Sequence, residues 1–164
     1  NAGMNDRALG KKHVASLKNI DIFNKAAEEL NFQTDSFKAI ISVHALYTFP
    51  DPQEILNRMY SWLEPGGTAI LVDPGRIVNV LNWQLAIAWH LISKHGLRKT
   101  LKIFKEARIV SEQNRSIREL QREGVLWTHS HEEYCAAVKA AGFHILESRT
   151  CFRGLSDMVI VTKR

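Results

Sequence analysis

Trp62-Leu63-Glu64-Pro65-Gly66-Gly67-Thr68-Ala69-Ile70-Leu71-Val72-Asp73 carries a helix end, a Pro-Gly-Gly turn and an apolar strand in twelve residues. Proline pushes Glu64 away from the helical region, and Gly66 and Gly67 tolerate the positive φ of a sharp reversal, so the helix has to stop there. Its start is marked as well: Asp51 can cap, Pro52 suits the first helical position, and Glu54 completes a capping box. Between these signals Ile55, Leu56, Met59, Tyr60 and Leu63 recur at helical spacing, which predicts a helix over Pro52 to Leu63 with one buried stripe. The strand follows over Thr68 to Val72. A helix delivered onto a buried strand by so short a turn points to an open α/β sheet, whose chemistry sits at the carboxyl ends of the strands. The search for a site therefore starts at Asp73 and Arg76.

Upstream, Lys38 to Val43 is almost continuously apolar and predicts a central strand buried on both faces. With the helix and strand that follow, it forms the parallel, right-handed crossover unit. Before it, the pattern predicts a loop and helix over Asn1 to Leu17, a short strand over Asn19 to Asn24, and a loop or single helical turn over Ala26 to Leu30. Downstream, Ile77 to Glu123 shows helical patterning with no strand signal, as expected of an insertion or lid over the sheet's carboxyl edge. Ser130 and Glu133 form a second capping box, opening a helix that stops at Gly142. Phe143 to Cys151 and Met158 to Thr162 then predict two strands joined by a turn at Arg153-Gly154, with the last antiparallel. The expected fold is one α/β domain over residues 1–164: an open, mostly parallel sheet with an antiparallel last strand and a helical insertion over 77–123.

The 164 residues suffice for a substantial core, and 45% hydrophobic with 24% charged is ordinary for a globular protein. Cys135 and Cys151, without a Cys-x-x-Cys pair or a signal-peptide pattern, suggest free thiols in a reducing, cytoplasmic setting. The net charge of +5 is unevenly spread. Lys94, Arg98, Lys99, Lys102, Lys105, Arg108, Arg115, Arg118 and Arg122 face only Glu106, Glu112 and Glu119 within residues 94–122. Such a surface can meet nucleic acid, an anionic membrane or water alone. Just before it, Ile77 to Ile92 contains no charged residue and includes Trp83 and Trp89, yet is too short to span a bilayer comfortably. Apolar residues beside a cationic helical face can lie on a membrane surface, which makes peripheral contact through 77–108 one reading and a lid packed on the sheet the other.

The succession Ala27-Glu28-Glu29-Leu30-Asn31-Phe32, Asp35-Ser36-Phe37, Ala45-Leu46-Tyr47-Thr48-Phe49-Pro50-Asp51-Pro52, Leu63-Glu64-Pro65-Gly66-Gly67 and Ala140-Ala141-Gly142-Phe143 resembles the class I S-adenosylmethionine-dependent methyltransferases, of the small-molecule type. Order and spacing agree throughout. Asn1-Ala2-Gly3-Met4 looks like the segment just after that family's second strand. The resemblance implies a Rossmann-like fold, methyl transfer, and adenosylmethionine held by Met4, Ala26, Ala27, Glu28, Ser42 and His44. It also implies departures. The nine glycines include no Gly-x-Gly pair, Ala26 stands where the family usually has an acidic residue near the adenine, and Lys38 stands where Asp is frequent. The expectation is that the chain begins inside a domain, as its carboxyl-terminal part, lacking the first two strands and exposing unpaired strand edges.

Methyl transfer from a sulfonium needs mainly an in-line approach in a dry pocket, and a base only when the acceptor must lose a proton. Residues after the strand Lys38 to Val43 would line that pocket. His44 is the candidate base, since an imidazole titrates near neutrality, and Tyr47 could attract the sulfonium through its ring face. Either could equally be a structural residue. Asp73, Arg76 and Trp83 are the candidate acceptor-binding residues, and the acceptor expected is a small, apolar molecule such as a quinone precursor. His129 and His131 form a His-x-His pair, but no carboxylate or cysteine cluster beside them in sequence supports a metal. Two other readings stay open: a catalytically inactive relative serving as a binding or regulatory protein, and a nucleic-acid methyltransferase. Against the latter, His44-Ala45-Leu46-Tyr47 stands where many base-modifying relatives carry an Asn-Pro-Pro-Tyr type of motif.

Overall fold

The computed structural model describes residues 2–77 and 79–164, and the chain divides into two compact units, Asn1–Phe32 and Gln33–Arg164. Asn1, which opens the first motif, and Val78, in the helical stretch, lie outside the described residues. In the first unit a helix, α1 (Ala2–Val14), is followed by irregular chain and a single 3-10 turn, Ala27–Glu29. The side-chain amide of Asn5 donates to Asn24 Oδ1, and the rings of Phe23 and Phe32 meet edge to face with centroids 5.8 Å apart. The strand expected over Asn19 to Asn24 does not form. A strand exists through a ladder partner, and these residues have none among the described residues, which leaves Ile20 and Phe23 exposed.

The second unit holds β1 (Phe37–Val43), α2 (Pro52–Trp62), β2 (Leu63–Pro74), α3 (Val80–His95), α4 (Leu97–Glu106), α5 (Arg108–Arg122), α6 (His131–Ala140), β3 (His144–Cys151) and β4 (Ser156–Thr162). The four strands form one sheet in the order β1-β2-β4-β3. β1 and β2 are parallel, and β4 runs antiparallel to both β2 and β3, so three strands share a direction and the last opposes them. This is the Rossmann-like arrangement expected. Leu56 of α2, Leu71 of β2, Val138 of α6 and Val159 of β4 are fully buried in the core between the helices and the sheet.

α2 starts where its signals place it, with the Glu54 amide donating to Asp51 Oδ1 at 2.9 Å. It ends at Trp62, and the Pro-Gly-Gly lies inside β2 instead of before it. Phe37 pairs with Leu63 and Ala39 with Thr68, so Glu64 to Gly67 bulge out of the ladder. Gly66 takes φ +80°, and its amide donates to the Lys163 carbonyl at 2.8 Å. A Cβ on Gly67 would stand 2.8 Å from the Glu64 carbonyl oxygen, which only glycine avoids.

β1 is not the central, doubly buried strand its composition predicts. Its one ladder neighbour among the described residues is β2, and Ile41 and Val43 are 70% and 52% exposed. An apolar run reports what a strand can bury, while burial itself depends on what lies against each face. The stretch after β2 is helical over α3, α4 and α5, with breaks at Gly96, which takes φ +76°, and at Ala107, and α3 packs on both α4 and α5.

Candidate functional site

The carboxyl ends of β1 and β2 meet at His44. This residue turns the chain out of the sheet with φ +52°, a left-handed conformation that histidine adopts more readily than most residues. Its amide donates to the Val72 carbonyl at 2.8 Å, which ties it to β2. Its ring Nε2 lies 3.2 Å from Ser156 Oγ at the start of β4, and Phe152 packs on the ring with centroids 4.8 Å apart. Backbone and side chain are thus held from three directions.

His44 forms part of the wall of a cavity of about 340 Å³, with Trp83, Ile87, Leu91, Phe104 and Phe152 among its other walls. Gln84, Ser111 and Asn114 supply polar groups to an otherwise apolar lining. One face of α3, with α4 and α5, forms most of this enclosure, so the helical stretch builds a pocket at the strand ends. A concave apolar site with a few convergent polar groups and one titratable side chain is how small-molecule sites are commonly built.

The structure therefore brings together two of the sequence-predicted residues, His44 and Trp83. Tyr47, Asp73 and Arg76 are placed elsewhere. Tyr47 lies in a 3-10 turn, Leu46–Thr48, and its carbonyl accepts the Trp127 amide at 2.9 Å. Burial, and then the neighbouring Asp73 carboxylate, push its phenol above the ordinary value. Ser42 is buried, and its hydroxyl finds no hydrogen-bond partner among the described residues. The other cofactor candidates, Met4, Ala26, Ala27 and Glu28, belong to the first unit. There Met4 is exposed on α1, and Ala26 precedes the 3-10 turn, its amide donating to Glu29 Oε2 at 3.4 Å.

Asp73 and Asp157 are opposed in the β2–β4 ladder and both fully buried. Asp157 is the hub. Arg76 pairs with its Oδ2, His131 Nδ1 stands 2.8 Å from its Oδ1, and His129 Nδ1 stands 3.5 Å from its Oδ2. His129 Nε2 reaches to within 3.7 Å of Asp73 Oδ2, a close approach longer than a hydrogen bond. Its ring is stacked on Tyr134 at 4.6 Å. Sequence reading missed this cluster as a cluster. His129 and His131 flank the helix cap Ser130, which explained them locally, and Asp157 lay in what read as a turn before a strand. Only the β2–β4 pairing puts them together, and no signal within either segment announces it. Among the described residues no group of three His, Cys, Asp or Glu side chains is arranged to hold a metal.

Gly75 is required by this cluster. The His129 amide donates to the Gly75 carbonyl at 2.8 Å, and a Cβ on Gly75 would fall on the His129 ring and carbonyl. Backbone cannot yield as a flexible side chain can, so Gly75→Ala is expected to cost about 1–3 kcal/mol in equilibrium unfolding. An unchanged midpoint would contradict the packing described.

Burial raises the Asp73 carboxyl above the ordinary aspartate value, only partly offset by His129, the Tyr47 backbone and His44. A raised folded-state value means the folded protein holds this proton more tightly than the unfolded chain. Its contribution to stability is therefore complete below the ordinary value of 3.8 and is lost as pH rises through the raised one. The variant Asp73→Asn lacks this titration. Urea unfolding of both proteins at falling pH should show wild type gaining stability relative to the variant, and a difference independent of pH would refute it.

A family model described as a methyltransferase domain matches residues 3–148. A rice (Oryza sativa subsp. japonica) 2-methyl-6-phytyl-1,4-hydroquinone methyltransferase is 32% identical over 92 residues, covering 56% of this chain and 26% of that protein. The demethylmenaquinone methyltransferase of Listeria welshimeri is 31% identical over 78 residues, covering 46% of this chain and 33% of the relative. The chain thus matches about a quarter to a third of the length of these relatives. In fold it is similar to an S-adenosylmethionine-dependent methyltransferase from Aquifex aeolicus, with TM-score 0.59 at 10% identity over 98% of this chain and 64% of that one. With the strand order, the crossover and nearly the whole chain matched by the domain model, this protein belongs to the class I S-adenosylmethionine-dependent methyltransferase family.

Proposed function

We propose that this chain serves adenosylmethionine-dependent methyl transfer to a small apolar acceptor bearing an acidic hydroxyl, seated in the cavity walled by His44. The observation that carries the reading is this one titratable side chain, held rigidly at the strand ends, in the wall of an apolar enclosure of about 340 Å³. The quinone and hydroquinone names of the relatives favour an acceptor of that chemical type.

The residues present fit the cofactor in part. Ser42, two residues before His44, holds a buried hydroxyl without a hydrogen-bond partner among the described residues, which suits a polar group of a bound ligand. When bound, adenosylmethionine supplies a methyl group already activated on a sulfonium. The chain's own work is then to exclude water, orient the acceptor and take its proton. Trp83, Ile87 and Phe104 give the cavity an apolar lining. With Nε2 engaged by Ser156, Nδ1 of His44 is left to receive the acceptor's hydroxyl proton as that oxygen takes up the methyl group. Asp73 and Arg76, proposed from sequence as acceptor contacts, instead support the strand ends from the buried cluster.

Because Ala26 stands where the family usually has an acidic residue near the adenine, adenosylmethionine is expected to bind this polypeptide weakly in calorimetry, and tight binding would refute that. The reading itself is tested with methyl-labelled adenosylmethionine at millimolar concentration and a short-chain hydroquinone. Label is expected in the hydroquinone. Failure to transfer under saturation would favour the inactive, ligand-binding relative. The free thiols Cys135 and Cys151 suit a reducing, cytoplasmic compartment, and an acceptor this apolar suits peripheral membrane contact through residues 77–108.

A further inference from the structure

Helix α3 is apolar on two faces. Trp83, Ile87 and Leu91 face the cavity, while Leu81, Leu85 and Trp89, four residues apart, form a second stripe that is 66%, 63% and 77% exposed. A helix apolar all round is ordinarily covered all round. No charged residue occurs on α3 before Lys94, so the stripe carries no charge of its own. No described helix is long and apolar enough to cross a membrane.

The surroundings of the stripe specify what would cover it. At its amino-terminal end a shallow cleft sets Leu81 beside Arg115 and Arg118 of α5, and the Arg118 Nε is buried without a hydrogen-bond partner among the described residues. At its other end come Lys94 and the exposed Arg98, Lys99, Lys102 and Lys105 of the following helix, which also exposes Leu97 and Leu101. The excess of base over acid in residues 94–122, nine against three, exceeds the net charge of the whole chain, +5. A protein partner would need an apolar groove ringed by carboxylates. A bilayer of anionic lipid offers both parts at once, since acyl chains take an apolar stripe and phosphates take the arginines and lysines at its ends.

We infer that the outer face of α3, flanked by the basic residues of α4 and α5, is a docking surface for an anionic lipid bilayer. Arg115 and Arg118 bind lipid phosphate, and Leu85 and Trp89 enter the interface. Because the opposite face of the same helix lines the cavity, a docked protein holds that cavity one helix away from the membrane in which an apolar acceptor dissolves. That consequence rests on the proposed methyl transfer. The docking itself does not.

The test is flotation of the full chain, without cofactor or acceptor, on vesicles of phosphatidylcholine alone or mixed with phosphatidylglycerol. Binding is expected only with the anionic lipid, weakening as salt is raised, with a blue shift of tryptophan fluorescence that Trp89→Phe removes. Arg115→Gln with Arg118→Gln should weaken it about 30-fold, near fivefold for each charge. Leu85→Ser with Trp89→Ser should abolish it while circular dichroism stays unchanged, since both side chains are exposed. Absence of flotation on anionic vesicles overturns the inference, as does binding indifferent to these variants. A salt-resistant dimer in sedimentation equilibrium, dispersed by Leu85→Ser with Trp89→Ser, also overturns it and assigns the face to a second copy. Methyl transfer to a water-soluble hydroquinone is measured separately, so failure of either proposal is distinguishable from failure of the other.

Discussion

Asp157→Ala is expected to cost about 3–5 kcal/mol of unfolding free energy, the largest effect of any single substitution proposed for this chain. Asp157 is fully buried and receives Arg76, His129 and His131, so its removal leaves a guanidinium and two imidazoles around a vacated site. The loss comes less from a missing attraction than from the groups left desolvated and unpaired. Arg76 is part-exposed and can turn to water, which relieves some of the cost, while His129 is enclosed by Trp127 and Tyr134 and cannot. Asp157→Asn keeps a hydrogen-bond acceptor for His131 and should lose less. Urea midpoints at constant pH measure both. A loss below about 1 kcal/mol for the alanine variant would put the cluster among ordinary surface pairs and remove its structural role.

The second large effect falls on the reaction. His44→Asn keeps a residue tolerated at positive φ and removes the proton acceptor, so the turnover rate at saturating substrates should fall about 10²–10⁴-fold with the fold intact. A merely structural histidine would not lower that rate while the fold stayed intact. His44→Ala confounds the two by adding backbone strain, so asparagine is the cleaner substitution. A rate within a few-fold of wild type would leave His44 as a strand-end residue satisfying Ser156 and would mean that the acceptor needs no protein base, since the cavity's other polar groups, Gln84, Ser111 and Asn114, can orient an acceptor but not take its proton.

Local chemistry explains what was legible beforehand. Asp51, Pro52 and Glu54 start α2, and Ser130 with Glu133 starts α6 by a capping box whose two hydrogen bonds are both present, at 3.1 and 2.7 Å. Both strands that flank the crossover were found from their apolar runs. His44 was legible because the fold rule points to the residue following a parallel strand. Trp83 stood out within an uncharged stretch, although nothing in that stretch indicated which of its two apolar faces would line a cavity. The short strand over Asn19 to Asn24 and the central position of β1 were misread for one reason: each depends on a neighbour, and composition describes only the segment itself.

By itself the sequence determined where α2 and α6 begin, that Lys38 to Val43 and Thr68 to Val72 are parallel strands of an α/β sheet, and that the last strand opposes them. Caps, prolines, glycines and periodicity act within a few residues, so those outcomes are written locally. Tertiary structure alone decided the rest. The β2–β4 register joined Asp73 to Asp157 across 84 residues and called His129 and His131 to them, and helix packing turned one face of α3 toward His44 and left the other to solvent. Those arrangements are set by which buried groups satisfy one another in space, and a chain read in order does not hold that information in any one segment.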